Sequence, residues 1–337
     1  MRVGLVMRVL MMGGTQFVGR FFTEELLNKG HEVTHFNRGK TNPGLFEGVE
    51  TIVGDRNESL DAIAAREWDV VVDVNSYYLH QTERLNAALK DSVQHFVYVS
   101  TISVYDQGDT QRLPEDGPLK PMPEGVAADA ELTNETYGPY KVLCEEAVLA
   151  RWGDKATILR PGVIIGPNDH TDRFAFWPLR VSEGGEMAIP GDQDHAAITG
   201  LDVRDFAEFM GLCIDRKLTG IYNVDKFNST FGDLRAAMRA FAVENGFDVT
   251  EVEIPVDQMA DMGAYRWTHL PSLLPPDASL GDVTKAVGVG LMERPLIDSM
   301  RDTWDWMKQT GRTRPMKGGM DVEQEKEIIE KWRAQSV

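Results

Sequence analysis

Tyr137 and Lys141 stand four residues apart in the stretch NETYGPYKVLCEEAV, a spacing that puts both on one face of a helix. A phenol acts as a base near neutrality only with help. A nearby ammonium favours the phenolate and lowers its pKa, and a nicotinamide cation would lower it further. Pro139 is expected in the first helical turn, which sets the pair near the helix N-terminus. The competing reading is a chance spacing of a Tyr and a Lys. Upstream, FVYVSTISVYD ends an apolar run with the hydroxyls of Ser100, Thr101 and Ser103. At the C-terminal edge of an open α/β sheet, such groups are placed to hold a substrate carbonyl. Alternatively they bond the backbone at the strand end.

A second group of residues suits a phosphate. MMGGTQFVGR follows the apolar pair Val9-Leu10 and leads into an amphipathic stretch. Backbone amides of a glycine turn and the helix behind it can meet a pyrophosphate. Gly13 permits the tight turn and Gly19 lets the helix pack closely. Gln16, however, stands where a second glycine is expected, so its side chain falls where the backbone would approach the phosphates. The next strand end reads HFNRGK, with Asn37 in place of an acid and with Arg38 and Lys40 beside it. A basic spot there favours a 2′-phosphate and hence NADP(H) over NAD(H). The alternative is a solvated loop pair. In VGDRNES, Asp55 is placed either to touch an adenine ring or to cap the next helix.

These groups need a scaffold. Strands are predicted at Arg8–Met12, Glu32–Phe36, Glu50–Val53, Trp68–Val74, His95–Val99 and Ala156–Leu159, with helices between them. In the first helix Val18, Phe21, Phe22, Leu26 and Leu27 share a face, and Gly30 ends it. Repeated βαβ units predict an α/β fold of the Rossmann type, a doubly wound parallel sheet. The alternation breaks near residue 166. Residues 167–195 read as loop-rich around a helical stretch, LDVRDFAEFMGLCIDR as a helix and GIYNV as a short strand. Residues 228–337 read as helix-dominated. RPLIDSMRDTWDWMKQTG is a helix with Pro295 in its first turn, and DVEQ opens the last helix as a capping box from Asp321 to Gln324.

Bulk properties narrow the partners. The chain has 337 residues, 42% hydrophobic, with 35 basic and 53 acidic residues for a net charge of −18. That balance repels nucleic acid and anionic membranes. Two cysteines, Cys144 and Cys213, form no disulfide framework and no metal-type cluster, and a reducing cytoplasm fits them. The apolar start is too short to span a bilayer and lacks a small-residue cleavage site. No metal site and no serine nucleophile elbow is expected.

In order along the chain, the glycine turn, VGD, FVYVSTISVYD, YGPYK and LRPGVIIGP resemble the extended short-chain dehydrogenase/reductases, the NAD(P)-dependent epimerase/dehydratase family. GGTQFVGR is nearer to atypical members that write GGTxFxG, a subgroup with a chloroplast RNA-binding branch. The resemblance implies a Rossmann domain at 1–166 plus about 196–226, and a smaller substrate-binding part at 167–195 plus 227–337. It implies Tyr137 as acid/base, Lys141 on the nicotinamide ribose and lowering the Tyr137 pKa, and Thr101 on the reacting oxygen, with Ser100 as substitute. The candidate cofactor contacts are Gly13, Thr15, Gln16, Phe17, Val18, Gly19, Asn37, Arg38, Asp55, Arg56, Ser100, Tyr137, Lys141 and Pro161. Ser103 and Arg173 are the candidate substrate contacts, and Arg173 could instead pair with Asp172 or Asp169. Ile102 and Ser103 replace the dehydratases' acidic pair, which disfavours dehydration. Ile198 falls where sugar epimerases carry a diphosphate-binding Arg. The expectation is an oxidoreductase or epimerase using NADP, with NAD as the second choice, on a sugar-like or other small substrate, and a cytoplasmic homodimer. The alternative is a non-catalytic scaffold that senses cofactor or binds RNA.

Overall fold

The computed structural model describes residues 6–106, 112–127, 130–226, 229–274, 280–314 and 316–335. Five strands open the chain: β1 (Arg8–Met12), β2 (Glu32–Asn37), β3 (Glu50–Val53), β4 (Val70–Asp73) and β5 (His95–Val99). With strands Ala156–Pro161 and Gly220–Val224 they form one seven-stranded sheet. From one edge the order is Gly220–Val224, Ala156–Pro161, β5, β4, β1, β2, β3, and every pairing is parallel. The chain runs outward from β1 to β3, then restarts at β4 on the other side of β1. That reversal opens a crevice at the carboxyl ends of β1 and β4, where open α/β sheets hold ligands.

The strands are apolar because both sheet faces are covered. β4 and β5 are buried throughout. Helices α1 (Phe17–Asn28), α2 (Asp61–Ala64), α3 (Leu79–Ala88) and α4 (Asn134–Trp152) lie between the strands. In α1 the buried residues are Phe17, Gly19, Phe22, Thr23 and Leu26, whereas Leu27, expected on the inner face, is exposed. The inward stripe therefore includes a polar Thr23, whose hydroxyl has buried work to do at the glycine turn.

The chain divides into two compact units: Met1–Gly162 with Val203–Asp225 and Ser279–Met292, and Val163–Asp202 with Lys226–Ala278 and Glu293–Val337. Residues 279–292 enter the first unit because Leu280–Gly281 pairs in parallel with Arg112–Leu113. The second unit has its own core, including Phe174, Trp177, Phe231, Phe241 and Met300. It is less purely helical than its sequence reads, since Gly185–Pro190 pairs in parallel with Val249–Ile254. Helix Leu296–Thr310 starts just after Pro295, which stands at the N-cap rather than inside the first turn, and Gly311 ends it in the left-handed region. At the last helix, Val322–Gln335, the Gln324 amide donates to Asp321 at 2.8 Å, but the Gln324 side chain reaches Gly263 O instead of closing the box.

Candidate active site

The glycine turn is gripped from three sides. Gly13 and Gly14 have φ of 111° and 99°, a region that disfavours side chains. A Cβ on Gly14 would lie 2.4 Å from the His35 imidazole, and one on Gly19 would lie 2.9 Å from the Gly14 amide nitrogen. So β2 supports the turn from one side while α1 closes on it from another. Thr23 Oγ1 lies 2.8 Å from Gly19 O and 3.0 Å from His35 Nε2. Burial pushes His35 down to about 4, so the imidazole is neutral at ordinary pH. Asn37 donates to Gly13 O and accepts from the Gly39 amide. Thr15 donates to Thr41 O, and Asn42 donates to Thr15 O. This fastens the loop after β2 to the turn, a contact the sequence reading did not find.

Gln16 takes the N-cap position of α1 in extended conformation, with an exposed side chain and no capping bond. The following Phe17 has φ 38°, an unusual value for a bulky residue, while Val18 is half-buried. The turn leaves the Gln16 side chain exposed, and the strained backbone falls at Phe17. Arg38 and Lys40 are exposed and make no hydrogen bond or ion pair to a described residue. Asp55 accepts from the Asn57 amide in a local turn and does not cap the next helix, whose N-cap is Leu60 with no side-chain bond.

Arg56 requires a correction. Its guanidinium is buried on the fully buried Asp73 carboxylate at 2.8 and 3.0 Å, and it also donates to Asn75. It is committed to the protein rather than presented to a cofactor. Ser100 is likewise committed: its hydroxyl donates to Glu145, which pairs with Arg160 at 2.6 Å in the buried interior. Arg160 also donates to Tyr105, whose hydroxyl reaches Asn223. Pro161 ends its strand buried, paired with Val224.

Helix α4 brings the catalytic candidates together. Thr133 and Thr136 cap it reciprocally. Pro139 lies in the second turn, later than expected. A Cβ on Gly138 would stand 2.2 Å from Ser103 O, so only glycine lets α4 approach residues 101–105 this closely. Thr101 accepts from the Ser103 amide and its hydroxyl faces Ser103 Oγ at 3.2 Å. The Tyr137 phenol lies near the Thr101 hydroxyl. Burial pushes that phenol up to about 12, Tyr77 adds to the rise, and the Thr101 hydroxyl opposes it.

Lys141 is 2% exposed and burial pulls it down to about 8. Its ammonium donates to Ser76 O at 2.9 Å and Val99 O at 2.7 Å, and lies 4.3 Å from the Tyr98 ring centre. The expected lowering of Tyr137 by Lys141 is therefore not a feature of this state, because desolvation dominates the phenol and the ammonium is held by backbone carbonyls. Arg173 belongs to the second unit and lies over the Trp267 ring at 5.1 Å. Neither acid considered as its partner is hydrogen-bonded to it: Asp172 pairs with Arg312 and Asp169 accepts from Thr171.

Sequence comparison fits this geometry. The model of the NAD dependent epimerase/dehydratase family matches residues 9–225, and the chain belongs to that family. It is 26% identical over 265 residues to a chloroplast stem-loop binding protein of 41 kDa from Arabidopsis thaliana, covering 73% of this chain and 65% of the relative, so somewhat under two thirds of that protein is spanned. It is 25% identical over 351 residues to a UDP-glucose 4-epimerase of Lactobacillus helveticus, covering 90% and 97%. The fold matches UDP-glucuronic acid 4-epimerase from Bacillus cereus in complex with NAD, with TM-score 0.62 and 17% identity, over 91% of this chain and all of that one. Among the described residues no helix is long and apolar enough to cross a membrane.

Proposed function

We propose that the protein is an NAD(P)-dependent oxidoreductase or epimerase that moves hydride at a carbonyl or carbinol carbon, with Tyr137 as acid/base. The observation that carries this reading is the meeting of Thr101, Tyr137 and Lys141 at the end of β5, in the same unit as the glycine turn. The first amides of α1 carry no side-chain cap, which suits an anion such as a pyrophosphate at the glycine turn. Gly13, Thr15, Gln16, Phe17, Val18 and Gly19 would hold the pyrophosphate. A bound nicotinamide would supply the hydride and, when oxidised, a positive charge.

The protein's own groups then have distinct tasks. Tyr137 holds its proton at neutral pH and can deliver it to a carbonyl oxygen that Thr101 or Ser103 orients. Lys141, anchored on Ser76 O and Val99 O, would hold the nicotinamide ribose with its remaining N–H. Arg38 and Lys40 favour NADP(H), while the solved relatives with NAD support NAD(H) as the second choice. Similarity to UDP-sugar epimerases supports a sugar-like substrate. The buried Ile198, in place of the expected Arg, weakens a diphosphate contact there, and Arg173 is the replacement charge. Residues 167–195 and 227–337 would bind that substrate, and the protein would act as a cytoplasmic homodimer.

The similarity to the stem-loop binding protein supports a second reading, a scaffold that binds RNA. The net charge of −18 opposes it, because phosphate contacts need clustered Lys and Arg. Tyr137→Phe distinguishes the two. The expected result is a fall in turnover of about 10²–10⁴-fold with dinucleotide affinity unchanged. Turnover equal to the wild type would remove Tyr137 from the chemistry.

A further inference from the structure

The buried Arg56–Asp73 pair is linked to Lys141 through the turn at Ser76. Asp73 ends β4. Its carboxylate is fully buried and takes five hydrogen bonds: two from Arg56, one from the Ser76 hydroxyl, and those of the Asn75 and Ser76 amides at 3.1 Å. These bonds fix the turn 73–76. The turn directs the Ser76 carbonyl at two donors, the Lys141 ammonium at 2.9 Å and the Tyr98 hydroxyl at 3.2 Å. Lys141 has three N–H bonds; two go to Ser76 O and Val99 O, and the ammonium lies over Tyr98.

We infer that Asp73 is a positioning residue for Lys141: it fixes the turn whose Ser76 carbonyl anchors the ammonium. Arg56 balances the carboxylate so that the turn carries no net buried charge. The catalytic consequence rests on the reading above, but the anchoring is a property of the protein alone. The groups facing Lys141 are Asp73 from β4, Tyr98 from β5, Arg56 and Tyr77 from the loops, and Cys144 and Glu145 from α4 itself. Burial opposes the charged form most and Arg56 adds to that, while Asp73 and Glu145 favour it.

The test is a ¹³C NMR titration of the lysine Cε signals in the full chain without added ligand, with Lys141 assigned by its loss in Lys141→Arg. The double variant Arg56→Gln/Asp73→Asn removes the buried pair together, which leaves no uncompensated charge. The Lys141 midpoint is expected to fall by about half a unit or more. Ser76→Ala keeps both charges and frees the turn, and its midpoint should fall less. It decides the matter if the double variant does not fold. A folded double variant, or failing that Ser76→Ala, with the wild-type midpoint overturns the inference. In a turnover assay the alkaline limb should shift to lower pH by the same amount as the NMR midpoint. If the midpoint falls and no turnover exists in any variant, the anchoring stands and the catalytic reading fails.

Discussion

The two compact units are held together by different kinds of contact. In the first, the polar groups are gathered at the carboxyl ends of parallel strands, where short segments deliver them: Asp73 from β4, Ser100 and Thr101 after β5, and Tyr137, Lys141 and Glu145 at spacings of four along α4. In the second, charged groups from distant parts of the chain pair with one another. Arg180 pairs with Glu325, Asp172 with Arg312 and Glu183 with Arg314. The first arrangement concentrates reactive groups in one place. The second uses charge to dock the segment after Thr310 onto residues 169–188.

The largest expected effects compare one buried pair from each unit. Glu145→Ala leaves the Arg160 guanidinium buried without its carboxylate, and Glu325→Ala does the same to Arg180. Each should cost about 3–5 kcal/mol in urea denaturation. Only Glu145→Ala also frees Ser100 beside the catalytic candidates, so only it should weaken dinucleotide binding. Equal binding losses in both variants would erase the distinction between the units.

Acid should loosen the first unit before the second. Burial pushes His35 and His95 down to about 4. An unfolded imidazole titrates near 6.5, so the unfolded chain takes up these protons first as pH falls. The stability they contribute is complete above about pH 6.5 and is lost as pH drops toward 4. Hydrogen exchange across that range should show β2 and β5 losing protection. Constant protection would mean that both rings are protonated without strain. The smallest effect is expected at the Asp321 cap. Asp321→Ala should cost about 1 kcal/mol and leave dinucleotide affinity unchanged.

The same contrast explains what could be read from the sequence. The order and parallel sense of the sheet follow from apolar runs alternating with amphipathic ones, and β1, β3 and β5 fall at the predicted residues. The approach of α4 to residues 101–105 was within reach because both lie in short motifs and Gly138 packs against Ser103 O. Glu145 was also within reach, four residues beyond Lys141 on the same helix face. The commitment of Arg56 to Asp73 was not legible, since an arginine after a strand looks the same whether it turns inward or outward. The strand Val249–Ile254 was hidden for another reason. Its Glu251 and Glu253 pair with Arg235 of the preceding helix, which a local apolar pattern does not show. The pairings of Arg180 and Arg312, about 140 residues from their partners, leave no local pattern at all.

The central claim is that the glycine turn, despite Gln16, holds a nicotinamide dinucleotide. It is tested most directly by titrating the purified, cofactor-stripped protein with NADPH and with NADH at low and moderate salt. Saturable binding is expected, tighter for NADPH, with Arg38→Ala removing the preference and leaving NADH affinity unchanged. Failure of both nucleotides to bind would contradict the account, because Gln16 and the strained Phe17 would then close the phosphate site.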